Sequence, residues 1–541
     1  MSSAKRTLLR EVLFVAVFVA AFLFLFSQLK SPANLYDEGL VLVNAERIRH
    51  GELPYRDFWT MYGPGYFYAL AALFSIVEPT MLAARLFDTL LRFLLTIEVY
   101  LLARHMTSRW VAFVPFAFVT FWLGTIRFYS YPAFPATAAI LLAALALARD
   151  LRTGRGRWLF ATGLALGLTA LLRLDFGGYA AFGFGLAVAL YELRRASDEG
   201  LPRKARLMPV VRAELVIAAG ALLVALPLYA YLTAAAGLAT IYDDLVAFPA
   251  TVFRAMRYLP VPPPIPDFRR ITGAQWNDWL RLYLPLATYA AALVVALRWL
   301  WLRPVPAQDR RLPIAVLFVA LTGTGLGLVV KATSRFHELH ALPTTICAAI
   351  LATALLYWLP RRLWQSTPFR VAVAGLVLMF VGGPYVAHFA MLSARGAASP
   401  LGCYSMLPRA SCVPIGKDQE RAAEYLRTHS QGDEPIFVGT SRHDRIFAND
   451  LLIYFLAERP SATRYAELHP GLATTLPVQQ AIAEELAAKN VQWVALMKGF
   501  DAREPNASST SSGVTFLDDY IRDHYQPETT FGSYQVLRKR Q

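Results

Sequence analysis

Residues 12–38 read VLFVAVFVAAFLFLFSQLKSPANLYDE, and this stretch decides the class of fold. From Val12 to Phe26 every side chain is apolar, and with its flanks the run covers 9–28. A helix of about 20 such residues crosses the hydrocarbon core of a bilayer. Lys5, Arg6 and Arg10 precede it, as in a signal peptide. The run is longer than the core of such a leader, so it reads as an uncleaved anchor. Shortly after it stands the carboxylate pair Asp37-Glu38.

The rest of the chain repeats the pattern. Of 541 residues, 56% are hydrophobic and 17% charged, with mean hydropathy +0.40, which excludes an ordinary soluble protein. Further apolar runs lie near 80–103, 110–126, 133–148, 158–172, 176–193, 213–235, 282–300, 312–330, 341–359 and 371–392. Strict alternation is missing, which argues against a membrane β-barrel. The expected fold is a polytopic α-helical membrane protein of about eleven spans. Its formal charge of +15 gathers in alternate short connections: Arg104–Arg109, Arg149–Arg157, Arg194–Arg212, Arg303–Arg311 and Arg361–Arg370. That is a topology signal, with the N-terminus in the cytoplasm and the C-terminal segment outside. It also suits anionic lipid heads in an inner or plasma membrane, and no nucleic acid partner is expected.

Three outer segments interrupt these runs. In the first, 29–79, residues 36–50 predict a surface helix ended by Gly51 and Pro54. On it Asp37, Leu40, Val41, Asn44 and Ile48 share one face, and Glu38 points about 100° away. Asp37 is therefore expected on the more apolar face, the setting of a useful base. Phe67–Val77 is too short to span and reads as a re-entrant or interfacial piece. The second segment, 236–281, holds Asp243-Asp244, Arg254, Arg257 and the proline-rich strap 260–266. Trp276 and Trp279 follow, suited to an interfacial belt. The third comprises a linker, 393–414, and a soluble α/β domain, 415–541. There the sequence predicts helices at 419–428, 478–489 and 516–524 and strands at 435–439, 491–497 and 533–537. Cys403 and Cys412 can close a short loop in an oxidising compartment, whereas Cys347 reads as a small hydrophobe.

The first loop contains Asp37-Glu38, then Gly51-Glu52-Leu53-Pro54-Tyr55-Arg56-Asp57, then Tyr62-Gly63-Pro64-Gly65. It resembles the first outer loop of lipid-linked-sugar glycosyltransferases of the GT-C superfamily. That group includes protein O-mannosyltransferases, the aminoarabinose transferase that modifies lipid A, and bacterial lipopolysaccharide sugar transferases. The resemblance covers span order, first loop and C-terminal domain. It implies an enzyme moving a sugar from a polyprenyl-phosphate donor to a glycan, lipid or protein on the non-cytoplasmic face. It also implies a catalytic Asp37, with Glu38 beside it and Asp57 near the substrate. Several relatives have Lys-Pro-Pro where this chain has Tyr62-Gly63-Pro64, so no phosphate-binding lysine is expected there.

The chemistry needs a base for the acceptor hydroxyl and cations for the departing phosphate. Lys331, Arg335 and His337, between the ninth and tenth runs and ahead of Leu342-Pro343, are candidates for the phosphate. Their plainer reading is charge snorkelling at a helix end. His337, Glu338 and His340 offer donors to a divalent cation, but their spacing is poor and no metal site is expected. Arg85, Asp88 and Arg92 share a face of the second span. Buried charges cost about 2.5–3.5 kcal/mol each, so they form either a self-neutralising pair or a donor-phosphate site. Arg173 and Arg127 could line the same cavity, with Arg254 and Arg257 as a phosphate-gripping lid. Arg442-His443-Asp444 and the segment 464–470 are expected to organise the outer domain against the membrane mouth. The rival readings are a transporter or flippase of lipid-linked sugars, and a ligase or polymerase using diphosphate donors. A transporter favours internal repeats and midplane charges. No repeat is evident here, and the best polar cluster lies at the outer surface.

Overall fold

The computed structural model describes residues 3–126, 128–267, 269–301, 310–395, 402–499 and 503–541. Arg127, most of the basic connection 303–311 and the linker residues 396–401 lie outside the described residues. The membrane part is built from α1 (Ser3–Ser27), α2 (Asp37–Arg49), α3 (Gly65–Phe74), α4 (Met81–Met106), α5 (Phe113–Thr125) and α6 (Ala133–Thr153). It continues through α7 (Arg157–Leu172), α8 (Leu174–Asp198), α9 (Leu207–Ala236), α10 (Gly273–Trp301), α11 (Arg311–Ser334) and α12 (Glu338–Tyr357). A last apolar helical stretch covers Thr367–Met391.

Helices occupy all eleven apolar runs. Among the described residues, eight of them are long and apolar enough to cross a membrane. The chain is therefore a multi-pass membrane protein. Of the others, α5 and α7 are shorter apolar helices, and α4 carries the internal charges Arg85, Asp88, Arg92 and Glu98. Local chemistry sets the ends. Thr80 caps α4 by accepting the Ala83 N–H at 3.1 Å, and α6 stops at Gly154, which takes a left-handed φ of 60°. Close helix approach comes from small residues. A Cβ on Gly163 of α7 would stand 2.1 Å from the Ile217 carbonyl of α9, and one on Gly167 would stand 2.3 Å from that of Ala221. Glycines four apart on one helix let two backbones touch where no hydrophobic force drives them together.

Beyond the membrane part, a four-stranded sheet has the order β1-β2-β4-β3. The strand β1 (Ile436–Thr440) is parallel to β2 (Trp493–Met497), with Ile436 opposite Trp493. The strands β3 (Tyr525–Phe531) and β4 (Tyr534–Lys539) complete it antiparallel. Helices Lys417–His429, Leu476–Ala488 and Phe516–His524 lie close to their expected places. β3 is the strand that sequence reading missed. It is an edge strand interrupted by Pro527 and Glu528, so it shows no apolar run. Cys403 and Cys412 are joined, and Cys347 is buried and free.

The first loop is held between these two parts. The Leu452 N–H donates to the Leu35 carbonyl at 3.1 Å, and the Trp59 N–H donates to that of Arg464 at 3.1 Å. Asn44 Nδ2 donates to Glu467 at 3.0 Å, and Arg47 donates to the Thr463 carbonyl at 3.1 Å. Every residue of α2 from Glu38 to Arg47 is buried. Covered on all sides, α2 has no apolar face to contrast with a polar one. The expectation for its two acids is reversed: Glu38 is fully buried, and Asp37 is the half-buried one.

Glu38 tolerates burial because Arg85 of α4 grips it with two prongs, Nε at 2.6 Å and Nη2 at 2.8 Å. The remaining Arg85 nitrogen, Nη1, donates to the Leu29 and Ser31 carbonyls at 2.8 and 2.6 Å. Breaking such a pair from one side leaves a buried charge uncompensated. Arg85→Met should destabilise by about 3–5 kcal/mol. The double variant Glu38→Leu/Arg85→Met should recover most of that loss in thermal unfolding of the detergent-solubilised protein. A double variant no more stable than the single one would contradict the pairing.

Candidate functional site

A cavity of ≈ 840 Å³ opens where the first loop, the α7–α8 junction, the 238–259 segment, the α11–α12 junction and the C-terminal part converge. Asp37 lies on its wall at the start of α2. The acid is positioned from two sides. Asn34 Oδ1 accepts the Tyr36 and Asp37 N–H groups at 3.0 and 2.7 Å, closing the turn that leads into the helix. The Tyr129 hydroxyl donates to Asp37 Oδ2 at 2.7 Å.

Tyr129 is itself held from inside the membrane part. Arg92 donates to the Tyr129 carbonyl at 2.8 Å and to that of Leu123 at 2.5 Å, and it pairs with Asp88 at 2.5 Å. Its guanidinium also sits over the rings of Phe128 and Phe134 at 4.5 and 4.1 Å. The charged face of α4 thus grips both neighbours of Asp37: Glu38 through Arg85, and Tyr129 through Arg92.

Five cations also line the cavity: Arg173, Arg254, Arg257, Lys331 and Arg335. Arg173 forms a two-pronged pair with Asp175 at 2.9 and 2.7 Å and faces the Tyr62 ring at 5.4 Å. Arg257 and Arg335 converge on Glu504. Among the described residues, no carboxylate pairs with Lys331 or Arg254; Lys331 Nζ lies 6.0 Å from the centre of the Phe253 ring. Burial, with the charge of Arg335 added, pulls the Arg257 guanidinium down to about 10. His337 lines the cavity, but its Nδ1 accepts the Leu339 N–H at 3.3 Å and so caps α12. Among the described residues no group of three or more His, Cys, Asp or Glu is arranged to hold a metal ion.

The cavity therefore gathers Asp37, Arg173, Lys331, Arg335 and His337 from the sequence-predicted set, together with Arg254 and Arg257. Glu38, Arg85, Arg92 and Asp57 do not line it. The first three are buried in ion pairs behind it, which suits them to positioning rather than substrate contact. Asp57 pairs with Arg56 and accepts the Leu53 N–H at 2.8 Å, closing its own turn. Arg127 lies outside the described residues. Sequence reading missed Glu504 and gave no role of their own to Tyr129 and His469. His469 takes the Tyr36 hydroxyl at 2.5 Å and belongs to the 464–470 segment, whose contacts run to the first loop. Nothing in the sequence spacing of these three residues signals their contacts with Asp37, Tyr36 and Arg335. Arg442 and Asp444 pair with each other, and His443 pairs with Asp518 within the C-terminal part.

One cavity-wall segment carries a titrating group. Asp244 is buried, its Oδ2 has no hydrogen-bond partner, and Arg464 is 3.9 Å away. Burial pushes its carboxyl up to about 7, although Arg464 pulls the other way. In an unfolded chain an aspartate titrates near about 4. Between those values the folded chain binds the extra proton. Stability should fall as pH rises from about 4 to about 7, with the loss complete above that window. Asp244→Asn should flatten the dependence of the melting temperature on pH between about 5 and about 8. An unchanged slope would show that Asp244 does not cause it.

No protein-family model and no curated protein matches the sequence. Solved structures do match. The crystal structure of ArnT from Cupriavidus metallidurans bound to undecaprenyl phosphate aligns with a TM-score of 0.55, covering 97% of this chain and 97% of that one at 15% identity. The apo state of the same protein gives 0.54, over 99% and 98% at 14% identity. The apo oligosaccharyltransferase of Archaeoglobus fulgidus gives 0.50 at 14% identity, over 90% of this chain and 69% of that longer one. At these identities the likeness speaks for the fold alone: this chain shares its overall architecture with those two proteins.

Proposed function

We propose that this protein is a membrane glycosyltransferase that takes a sugar from a polyprenyl-phosphate donor and gives it to a cell-envelope acceptor on the non-cytoplasmic side. One observation carries the reading. A tethered carboxylate, Asp37, faces a cation-lined cavity in a fold shared with a protein crystallised with undecaprenyl phosphate. The topology that goes with it has about eleven spans, the N-terminus inside and the C-terminal domain outside, which puts Asp37 at the outer lip of the bilayer.

The reaction needs little from a general acid, because the leaving phosphodiester is already ionised. Asp37 takes the proton of the acceptor hydroxyl as that oxygen attacks the anomeric carbon. The bond from that carbon to the phosphate oxygen breaks, and the polyprenyl phosphate leaves with the electron pair. Lys331 and Arg254, which have no carboxylate partner among the described residues, meet the charge that grows on it, with Arg173, Arg257 and Arg335 around them. A single carboxylate acting from the side opposite the leaving group gives inversion. Tyr129 fixes the carboxylate, and Arg92 fixes Tyr129. The acceptor is a glycan, lipid or protein carrying a free hydroxyl. A transporter of the same lipid would have no use for Asp37 as a base.

Asp37→Asn should reduce the rate constant for transfer by about 10²–10⁴ while leaving undecaprenyl phosphate binding and melting temperature near the parent values. Retained turnover in a folded, donor-binding variant would remove Asp37 from the base role.

A further inference from the structure

The carboxylate of Glu504 lies where the proposed reaction calls for an anion. It meets Arg335 with two prongs, as a phosphate would: Nη1 to Oε2 at 2.7 Å and Nη2 to Oε1 at 2.5 Å. Arg257 Nη1 stands 3.4 Å from the same Oε2. Asn506 Nδ2 adds a third donor at 3.1 Å. These groups come from distant parts of the chain. Arg335 follows α11, Arg257 ends the short helix Arg254–Arg257, and Glu504 belongs to the segment after β2. Arg335 and Arg257 are also walls of the cavity that holds Asp37.

Two features mark the contact as a filled seat rather than a complete structural pair. Arg257 is 8% exposed, yet its Nε has no hydrogen-bond partner, so one buried donor faces no acceptor while Glu504 is in place. The Glu504 backbone is fastened without its carboxylate: its carbonyl accepts the Asn506 N–H at 2.7 Å and the Ser509 hydroxyl at 2.6 Å. The side chain can therefore swing away while the turn stays folded. Burial pushes the Glu504 carboxyl up, but the Arg335 hydrogen bond and the Arg257 charge outweigh it and hold the group below the usual glutamate range.

We propose that Glu504 is an internal stand-in for the donor phosphate, closing the Arg257–Arg335 seat in the empty protein and displaced when the donor arrives. The idea rests on the phosphate-donor reading given above. The exchange swaps one singly charged anion for another, so the two arginines face an anion both in the empty protein and in the donor complex. It also carries a thermodynamic cost: apparent affinity for the donor falls by the fraction of molecules whose seat is open. The rival role for Glu504, holding the two arginines ready for the phosphate, has the opposite consequence.

The test titrates undecaprenyl phosphate against the purified full chain in detergent, comparing wild type, Glu504→Gln, Glu504→Ala and Arg335→Ala. Both Glu504 variants should bind about tenfold tighter than wild type. Without ligand they should melt at a lower temperature, because two arginines lose their anion, and undecaprenyl phosphate should raise their melting temperature by more than it raises that of wild type. Arg335→Ala should bind more weakly. Equal or weaker binding by both Glu504 variants, with wild type still binding, overturns the stand-in and leaves the donor reading intact. Failure of wild type itself to bind overturns the donor reading and the stand-in together.

Discussion

A guanidinium inside a membrane bundle needs partners, and each nitrogen of Arg85 finds one by gripping the first outer loop. Its fork closes on Glu38, and its remaining nitrogen holds the Leu29 and Ser31 carbonyls at the exit of α1. Arg92, two turns along the same helix, does the same for the Leu123 and Tyr129 carbonyls while pairing with Asp88. Neither arginine reaches the cavity. The expense of burying them is met by carbonyls and carboxylates that must stay in place for the fold to survive. Asp37 sits between the two anchored segments, so the cost of desolvating α4 becomes precision at the cavity wall. That precision is what a base needs if it is to meet an incoming hydroxyl in line with a leaving phosphate.

The electrostatics follow the same division. The ion pairs Glu38–Arg85 and Asp88–Arg92 stabilise the scaffold out of reach of solvent, whereas the cavity keeps an excess of positive charge over Asp37, Asp175 and Glu504. Its cations come from the α7–α8 junction, the 238–259 segment and the α11–α12 junction. No single motif assembles them, only the packing of helices whose small residues let backbones touch, as at Gly163 and Gly167. A fold with such tolerant requirements can persist at 15% identity over nearly the whole chain, as the likeness to ArnT illustrates.

Much of this was legible from residues alone, and the rest was not, for physical reasons. Apolar runs announce membrane helices because hydrocarbon tolerates little else; helices stand at all eleven runs, and among the described residues eight are long and apolar enough to cross a membrane. The strands β1 and β2 announce themselves by buried apolar runs and β4 by Val536-Leu537, while β3, an edge carrying Pro527, does not. The first-loop carboxylates stood out by position. Their division of labour did not, because helical periodicity ranks faces only when one side meets water, and α2 is covered throughout. The same charge on α4 reads equally as ligand or as structure until its partners are known. Arg85 and Arg92 turned out to face carbonyls and carboxylates rather than the cavity. Tyr129, His469 and Glu504 reach the site from distant parts of the chain, and contacts at that separation leave no periodic trace.

The central claim is that Asp37 acts by removing a proton. A nucleophile that has no proton to lose separates this role from every structural one. With azide in place of the hydroxyl acceptor, Asp37→Ala should still form the glycosyl azide from the polyprenyl-phosphate donor, with inverted configuration, although it no longer glycosylates the hydroxyl. If the folded, donor-binding variant fails with azide as completely as with the hydroxyl, or yields the retained anomer, Asp37 is not the base and the account is contradicted.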